Sequence, residues 1–376
     1  MNVFMISGGY PSETNPQNGV FAFDQAKAIN EYTNCHVFLG VLDLRSVLKK
    51  RRYGVFFDSV DNVEITVCSF PLGAVPDTIY EEIGKRLFHI LFNKMAKQYG
   101  LPDIIHAQFG NIGIIVNKFA TKKGIPVVVT EHASSLNNNR WDEKTKKKYS
   151  FLYKNVAATI CVSHALKKNI QLNTGCEPLV IPNIVDLRRF KFSRDKPHDP
   201  FTFICVANLV DIKNHDLLLR AFKLFCNSNL EIKTKLLIVG DGPNRQRLEA
   251  QVSSSELNNV QFFGRLARNE ISDLFEMSDA FILTSKSETF GVAFLEALAS
   301  GLPVITTACG GPLDFITNEC GIVVREDENE ICKALTTIIE RYRNYDRATF
   351  SKHFRDNYSP NLISKTIYSV YERVSG

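Results

Sequence analysis

Residues 284–316, reading TSKSETFGVAFLEALASGLPVITTACGGPLDFI, admit few folds. The preceding run DAFILT, 279–284, is a short apolar strand, and the periodicity then predicts a helix over 292–300. Gly301 and Pro303 stop that helix in the usual order. A second apolar strand, 303–307, runs into Gly310-Gly311-Pro312 and another helix start. The pattern is a βαβ unit whose strand-to-helix loops carry small and polar residues. In open α/β sheets such carboxyl-end loops hold ligands, because helix N-termini offer free N–H groups to an anion.

Two carboxylates punctuate this unit. Glu288 precedes Phe290-Gly291, so its side chain and the first helical amides can converge on one ligand. Glu296 shares the apolar stripe with Val292 and Leu295, a costly place for a charge unless it is paired or bound. A favourable position at a helix start explains Glu288 well without any ligand, but not Glu296. The two glutamates with TFGVAFL between them, the following ALASGLPVI and the GGP turn resemble the signature of retaining nucleotide-sugar glycosyltransferases of the GT-B fold, glycosyltransferase family 4. The resemblance implies that Glu288 contacts the donor sugar and Glu296 the ribose hydroxyls. It also implies that amides near Phe290 and Gly291 hold the diphosphate.

The 376 residues suit two domains of ordinary size. Nine cysteines are scattered singly, with no C-x-x-C pair, so a disulfide framework or zinc site is not expected and a reducing compartment fits best. The opening MNVFMISGGYP has no basic region of a secretory leader, and no apolar run reaches membrane-span length. Of the net charge of +5, the positive excess lies in the amino-terminal half. That half could face anionic lipid or a phosphate-bearing acceptor, or carry ordinary surface charge.

Taken in order, the strand 3–7 ends in Gly8-Gly9-Tyr10-Pro11, and a polar loop, 12–19, leads to a helix with Val20, Phe23, Ala26 and Ile29 at helical spacing. In the resembled family this loop closes over donor and acceptor, and Gly19 is the best match. The run 48–58 sets Lys49–Arg52 beside Phe56 and Phe57; it reads as a solvated loop, with a membrane-resting segment as the alternative. The strand around Ile104 resembles the family's D-hydrophobic-hydrophobic-H-x-H pattern, with His106 at the first histidine, either an acceptor-side contact or merely structural, and Gln108 at the second, where an amide can still donate to a sugar hydroxyl. His132, after the strand 126–130, resembles the family's T-x-H segment and is a candidate sugar or acceptor contact. Residues 137–151 resemble the acceptor-side segment, and Pro182, Asn183, Val185 and Asp186 match a P-N-x-V-D turn that closes the first domain.

Residues 186–200 read as the interdomain linker, after which a second α/β domain opens. The run 207–214 resembles a loop in which an Arg and a Lys bracket the donor diphosphate; Lys213 is in place, but Asn208 stands where the Arg is expected. Gly240-Asp241-Gly242 is an incomplete dinucleotide fingerprint, since Arg245 replaces the third glycine, and in the family this turn lines the nucleotide side. Arg265 and Leu266 match the position that meets the base. The acidic run 326–328 opens a helix, where the dipole favours acids, and is no metal motif.

These readings predict two Rossmann-like domains facing across an interdomain cleft: 1–185 with the helix 358–376 packed back on it, and 186–357. The resemblance implies a cytoplasmic, metal-independent, retaining glycosyltransferase without a cofactor. Its partners would be a nucleotide sugar and a glycan or lipid-linked acceptor, with peripheral membrane contact left open and no nucleic acid. Two rivals are a catalytically weak binding subunit, motivated by Gln108 and Asn208, and a sugar-nucleotide epimerase of similar fold.

Overall fold

The computed structural model describes residues 1–12, 18–45, 51–73, 75–137, 141–190, 192 and 197–376. Most of the loop 12–19, Lys49 and Lys50 of the basic run, residues 138–140 of the acceptor-side segment and most of 191–196 in the linker lie outside the described residues. The chain divides into two compact units, Met1–Ile184 with Pro360–Gly376, and Val185–Ser359.

The first unit is built on β1 (Asn2–Ser7), α1 (Val20–Tyr32), β2 (His36–Asp43), β3 (Gly54–Val60), β4 (Val63–Ser69), α2 (Asp77–Tyr99), β5 (Ile104–Gln108), α3 (Gly110–Lys122), β6 (Val127–Glu131), α4 (Glu143–Lys154), β7 (Ala158–Cys161), α5 (His164–Thr174) and β8 (Leu179–Val180). The sheet order is β3-β4-β2-β1-β5-β6-β7-β8, parallel except for the β3–β4 pair. Alternation along β1 splits its side chains between two helical layers. Val3 and Met5 join the cluster with Ala26 and Ile29 of α1, whereas Phe4 packs edge-on against Phe92 of α2 at 5.8 Å. Ser163 caps α5, accepting from the Leu166 amide at 3.2 Å.

The second unit contains β9 (Phe201–Val206), α6 (His215–Ser228), β10 (Thr234–Val239), α7 (Arg245–Ser254), β11 (Val260–Gly264), α8 (Arg268–Glu276), β12 (Ala280–Leu283), α9 (Val292–Ala299), β13 (Val304–Thr307), β14 (Gly321–Val324), α10 (Glu328–Glu340) and α11 (Arg347–Asn357). Its all-parallel sheet runs β11-β10-β9-β12-β13-β14, the doubly wound order. Phe203, Phe222, Phe225, Phe275, Phe281 and Phe294 are wholly buried in its core. At about 1.5–3 kcal/mol per buried ring they are a large part of its stability. Asp327 caps α10 by accepting from the amides of Asn329 and Glu330, which accounts for the acidic run. The last helix, α12 (Pro360–Ser375), returns to the first unit and buries Ile363, Ile367, Val370 and Tyr371 in that unit's core.

Two sequence readings are corrected. Part of 48–58 is not loop but the edge strand β3, hairpinned to β4 through Asp61 and Asn62 at φ 47° and 63°. Two left-handed residues in a two-residue turn match the twist of the strands they join. Nor is Arg51 solvated: its guanidinium binds Asp43 at 3.0 Å and the Ser69 hydroxyl at 3.0 Å, and its side chain is 6% exposed. The turn after Gly310-Gly311-Pro312 is a single 3-10 turn, Gly311–Asp314, rather than a full helix.

His106 ties α12 to the sheet, its ring nitrogens bonded to Tyr371 Oη at 2.6 Å and Thr130 Oγ1 at 2.7 Å. His106→Leu would strand both hydroxyls in the core. A loss of about 1–3 kcal/mol is expected in urea unfolding at neutral pH; an unchanged midpoint would mean that these bonds contribute nothing net.

Candidate functional site

In the second unit the strand order reverses between β9 and β12, and the loops leaving those two strands carry Lys213 and Glu288. Lys213 ends a 3-10 turn, Asp211–Lys213, and Asn214 follows it in the left-handed region. Its Nζ donates to Glu288 Oε1 at 2.6 Å, and the Ser285 hydroxyl donates to the same oxygen at 2.7 Å. Backbone bonds fasten the loops: Lys286 N to Ile212 O at 2.8 Å, with Thr284 Oγ1 donating to Asn214 O at 2.9 Å. Glu288 is stitched in turn to the loop after β13, its N–H donating to Cys309 O at 2.7 Å and its carbonyl accepting from Gly311 N at 2.8 Å.

Gly311 permits that approach, since a Cβ there would lie 2.2 Å from Thr289 O. Gly291 starts α9 at φ 91°, and the first amides of α9 have no intrahelical acceptor. Phe290 is buried against Phe315 and Tyr358, so its ring anchors the loop and only its backbone can meet a ligand. Glu296 is buried on α9, its Oε1 4.0 Å from Arg268 Nε. A cation at the start of α8 thus moderates the charge on the apolar stripe.

The Gly240-Asp241-Gly242 turn serves close packing. A Cβ on Gly240 would fall 1.9 Å from Ala207 O, and one on Gly242 would fall 2.4 Å from Leu209 O. Asp241 O accepts from Leu209 N at 3.0 Å, so the turn braces the loop on which Asn208 is exposed. Arg265 is exposed and Leu266 half-buried just beyond β11, at the sheet edge three strands from β12. His215, beside Lys213, escaped the sequence reading. Burial and the Lys213 charge lower its pKa to about 4, and its buried Nε2 has no hydrogen-bond partner among the described residues.

In the first unit the corresponding reversal lies between β1 and β5. Gln108, at the end of β5, donates to Gln25 Oε1 of α1 at 2.5 Å and bonds His132 Nε2 at 2.8 Å. Gln108 and His132, read separately in the sequence, are therefore brought together, and the His132 ring stacks on Phe21. Burial lowers the His132 pKa to about 4; among the described residues its Nδ1 has no partner in good geometry, and Asn183 is the polar side chain that acts on the ring. Gly19 caps α1 at φ 65°, where a Cβ would strike Gly9 O. Of the two readings of His106, contact at the acceptor side or a structural histidine, the fold shows a core residue with no exposure, its pKa lowered by burial to about 3.

Glu131 was not singled out in the sequence, yet it organises this end of the sheet. Wholly buried, it accepts from the amides of Gly110, His132 and Ala133 at 2.9, 3.0 and 2.9 Å and from the Tyr153 hydroxyl at 3.0 Å. Four donors and no acceptor fit a carboxylate, which occupies the start of α3 where a ligand anion would otherwise sit. Its position before a histidine at a strand end was the available signal. Among the described residues, no group of three or more His, Cys, Asp and Glu could hold a metal ion.

Two doubly wound parallel-sheet units, each with polar side chains at its reversal point, define a GT-B architecture. The family description "Glycosyl transferases group 1" matches residues 186–353, and "Glycosyltransferase Family 4" matches 41–189. The chain belongs to the GT-B glycosyltransferases of family 4 type. It is 26% identical over 259 residues to a phosphatidylinositol N-acetylglucosaminyltransferase subunit of Arabidopsis thaliana, covering 68% of this chain and 58% of that protein. With the alpha-monoglucosyldiacylglycerol synthase of Streptococcus pneumoniae it is 28% identical over 373 residues, 89% of this chain and 82% of that one. Of the first relatives matched, the chain spans about 58–64% of the length. In structure it resembles sucrose-phosphate synthase from Thermosynechococcus elongatus (TM-score 0.80, 18% identity, 100% and 99% coverage) and Anabaena HepE in complex with UDP-glucose (0.75, 17%, 99% and 100%).

The buried histidines give stability a pH dependence. Each folded pKa lies below the value near 6.5 of an unfolded histidine, so on acidification the unfolded chain takes up protons first. Stability is complete above about pH 6.5 and falls toward pH 4. His106 and His132 together cost the first unit up to about 2.7 kcal/mol per pH unit in that window. Glu131, raised by burial, opposes part of this as it protonates in the folded state. Urea unfolding across this range checks the expectation; a flat profile would contradict it.

Proposed function

We propose that the chain is a retaining glycosyltransferase that moves a sugar from a nucleoside-diphosphate sugar to a hydroxyl of a glycan or lipid-linked acceptor. The observation that carries this reading is the Lys213–Glu288 pair, 2.6 Å apart at the reversal point of the second sheet and beside the start of α9. Departure of a nucleoside diphosphate builds negative charge on the leaving oxygens, which Lys213 and the α9 amides from Gly291 onward stabilise. Glu288 contacts the donor sugar and Glu296 the ribose. Asn208, Gly242, Arg265 and Leu266 line the nucleotide side, and His132, with Gln108, contacts sugar or acceptor hydroxyls. The acceptor hydroxyl attacks the face from which the diphosphate leaves, so no protein nucleophile is required. Neither metal nor cofactor takes part.

The relatives' names favour a lipid-linked acceptor, one naming phosphatidylinositol and the other a glucosyldiacylglycerol. HepE with UDP-glucose makes a uridine nucleotide the first donor to try. No helix among the described residues is long and apolar enough to cross a membrane. We place the work at the cytoplasmic face of a membrane, in surface glycolipid or polysaccharide assembly, with peripheral contact through the basic amino-terminal unit.

Thermal stabilisation by a panel of nucleotide sugars identifies the donor, and transfer is then followed with that donor. Glu288→Gln should abolish transfer with the fold intact. Lys213→Ala should lower turnover by roughly 100-fold or more, the loss of one preorganised donor. Near-normal turnover in either variant would move the site elsewhere. Activity should also survive a chelator; complete loss restored by magnesium or manganese would overturn the metal-free reading.

A further inference from the structure

Helix α1 buries Ala22, Phe23, Ala26, Ala28 and Ile29, and with them one polar side chain, Gln25. An amide on such a face costs stability unless its hydrogen bonds are met. Gln25 is 4% exposed, and its Oε1 accepts from Gln108 Nε2 at 2.5 Å, joining α1 to the end of β5. An apolar residue would pack on that face at lower cost, so the amide answers to Gln108 rather than to packing.

Gln108 passes the constraint on. Two amides and a neutral imidazole can be strung together in either of two directions. With Gln108 Nε2 donating to Gln25, its Oε1 is left for His132 Nε2, 2.8 Å away. A carbonyl oxygen only accepts, so His132 Nε2 carries the ring proton and Nδ1 is the ring's acceptor. In the opposite direction Gln108 would donate to Nε2, and Nδ1 would carry the proton. The ring's other neighbours leave that choice open. Phe21, one turn before Gln25 on α1, stacks on the ring with centroids 5.9 Å apart and planes 11° apart, and Phe109 lies 5.1 Å away. Both bear on the plane of the ring and not on its proton. Glu131 accepts from the main-chain N–H of His132, away from the imidazole. Asn183 acts on the ring, but an amide can turn either its NH2 or its carbonyl toward Nδ1.

We propose that Gln25 is a positioning residue: by accepting from Gln108 it sets the His132 tautomer that presents Nδ1, as an acceptor, to a substrate hydroxyl. This deepens the glycosyltransferase reading and rests on it. A hydroxyl that donates to Nδ1 keeps both lone pairs for other contacts, whereas one that met Nδ1–H would give up a lone pair to the ring. With its pKa lowered by burial to about 4, His132 is neutral and a weak base near pH 7, so its part is to orient the hydroxyl and not to take its proton.

The tautomer can be read directly. In the full chain labelled with nitrogen-15 histidine at pH 7, nitrogen–proton correlation separates protonated from bare ring nitrogens, and His132→Asn identifies the His132 signals by their loss. The wild-type protein should show His132 in the Nε2–H form alone; the Nδ1–H form would overturn the proposal without any variant having to fold. Gln25→Met keeps the length of the side chain and removes the acceptor. With folding verified by thermal unfolding, both tautomers should then appear, and an unchanged Nε2–H signal would overturn the role of Gln25. Gln25→Met should also lower turnover about tenfold, with nucleotide-sugar binding unchanged. In a Gln108→Leu background the same substitution should have no further effect, because its path runs through Gln108. An equal loss in both backgrounds would make Gln25 a packing residue and nothing more. If the wild-type protein turns over no nucleotide sugar, the glycosyltransferase reading fails whatever the tautomer. If it does and the tautomer is the other one, only the role of Gln25 is wrong.

Discussion

The Lys213–Glu288 ion pair depends on a topological accident that doubly wound sheets share. Where strand order reverses, two loops diverge to opposite faces of the sheet and leave their carboxyl ends uncovered. In the second unit those are the loops after β9 and β12, and the pair bridges them at 2.6 Å. Removing either partner would leave the other charge half-buried without compensation, which costs more than the pair itself is worth. The backbone bonds from Lys286 and Gly311 hold the loops in place, so the ammonium is oriented before any anion reaches the α9 amides. Preorganisation of that kind is what makes a donor effective against developing charge.

Local rules made much of this readable from residues alone. The 292–300 helix, its Gly301 stop and the acidic start of α10 each depend on neighbours within one turn, and each is found as read. The side chains whose roles depend on distant partners were not readable. His106 needs Tyr371, on the last helix, and Arg51 needs Asp43 and Ser69, on two other strands. Arg51 looked like a solvated group because a polar residue gives no sign in sequence of the partner that will bury it, and His106, for which a structural role was open, gave no sign of which partners those would be. Glu131 was invisible for the same reason, since its partners are backbone amides of a helix and a loop. The Asp61-Asn62 turn was the exception: a two-residue turn between two apolar strands was local information, and the adjacent basic run drew the reading away from it.

The glycines also divide by cause. Gly291 satisfies a positive φ at the start of α9, where its backbone conformation, not its size alone, is required. Gly311 and Gly242 answer to space, because a neighbouring loop's carbonyl lies where a Cβ would be. A motif such as Gly-x-Gly therefore says that two backbones approach, without saying that either approaches a phosphate.

The two units place different chemistry at the same topological point. In the second, a lysine and a glutamate face the start of a helix, a charged arrangement that suits a departing diphosphate. In the first, the α3 start is already taken by Glu131, and the groups left beside it are the amides of Gln25 and Gln108 and a neutral His132. With Gln108 Nε2 donating to Gln25, its Oε1 accepts the proton of His132 Nε2, which leaves Nδ1 as the ring's acceptor, with Asn183 acting on the ring. Such a chain can sort hydroxyl donors from acceptors without moving charge. One helix start is filled by the protein's own carboxylate, through a residue that carries no motif of its own, and the other is preceded by the Lys213–Glu288 pair.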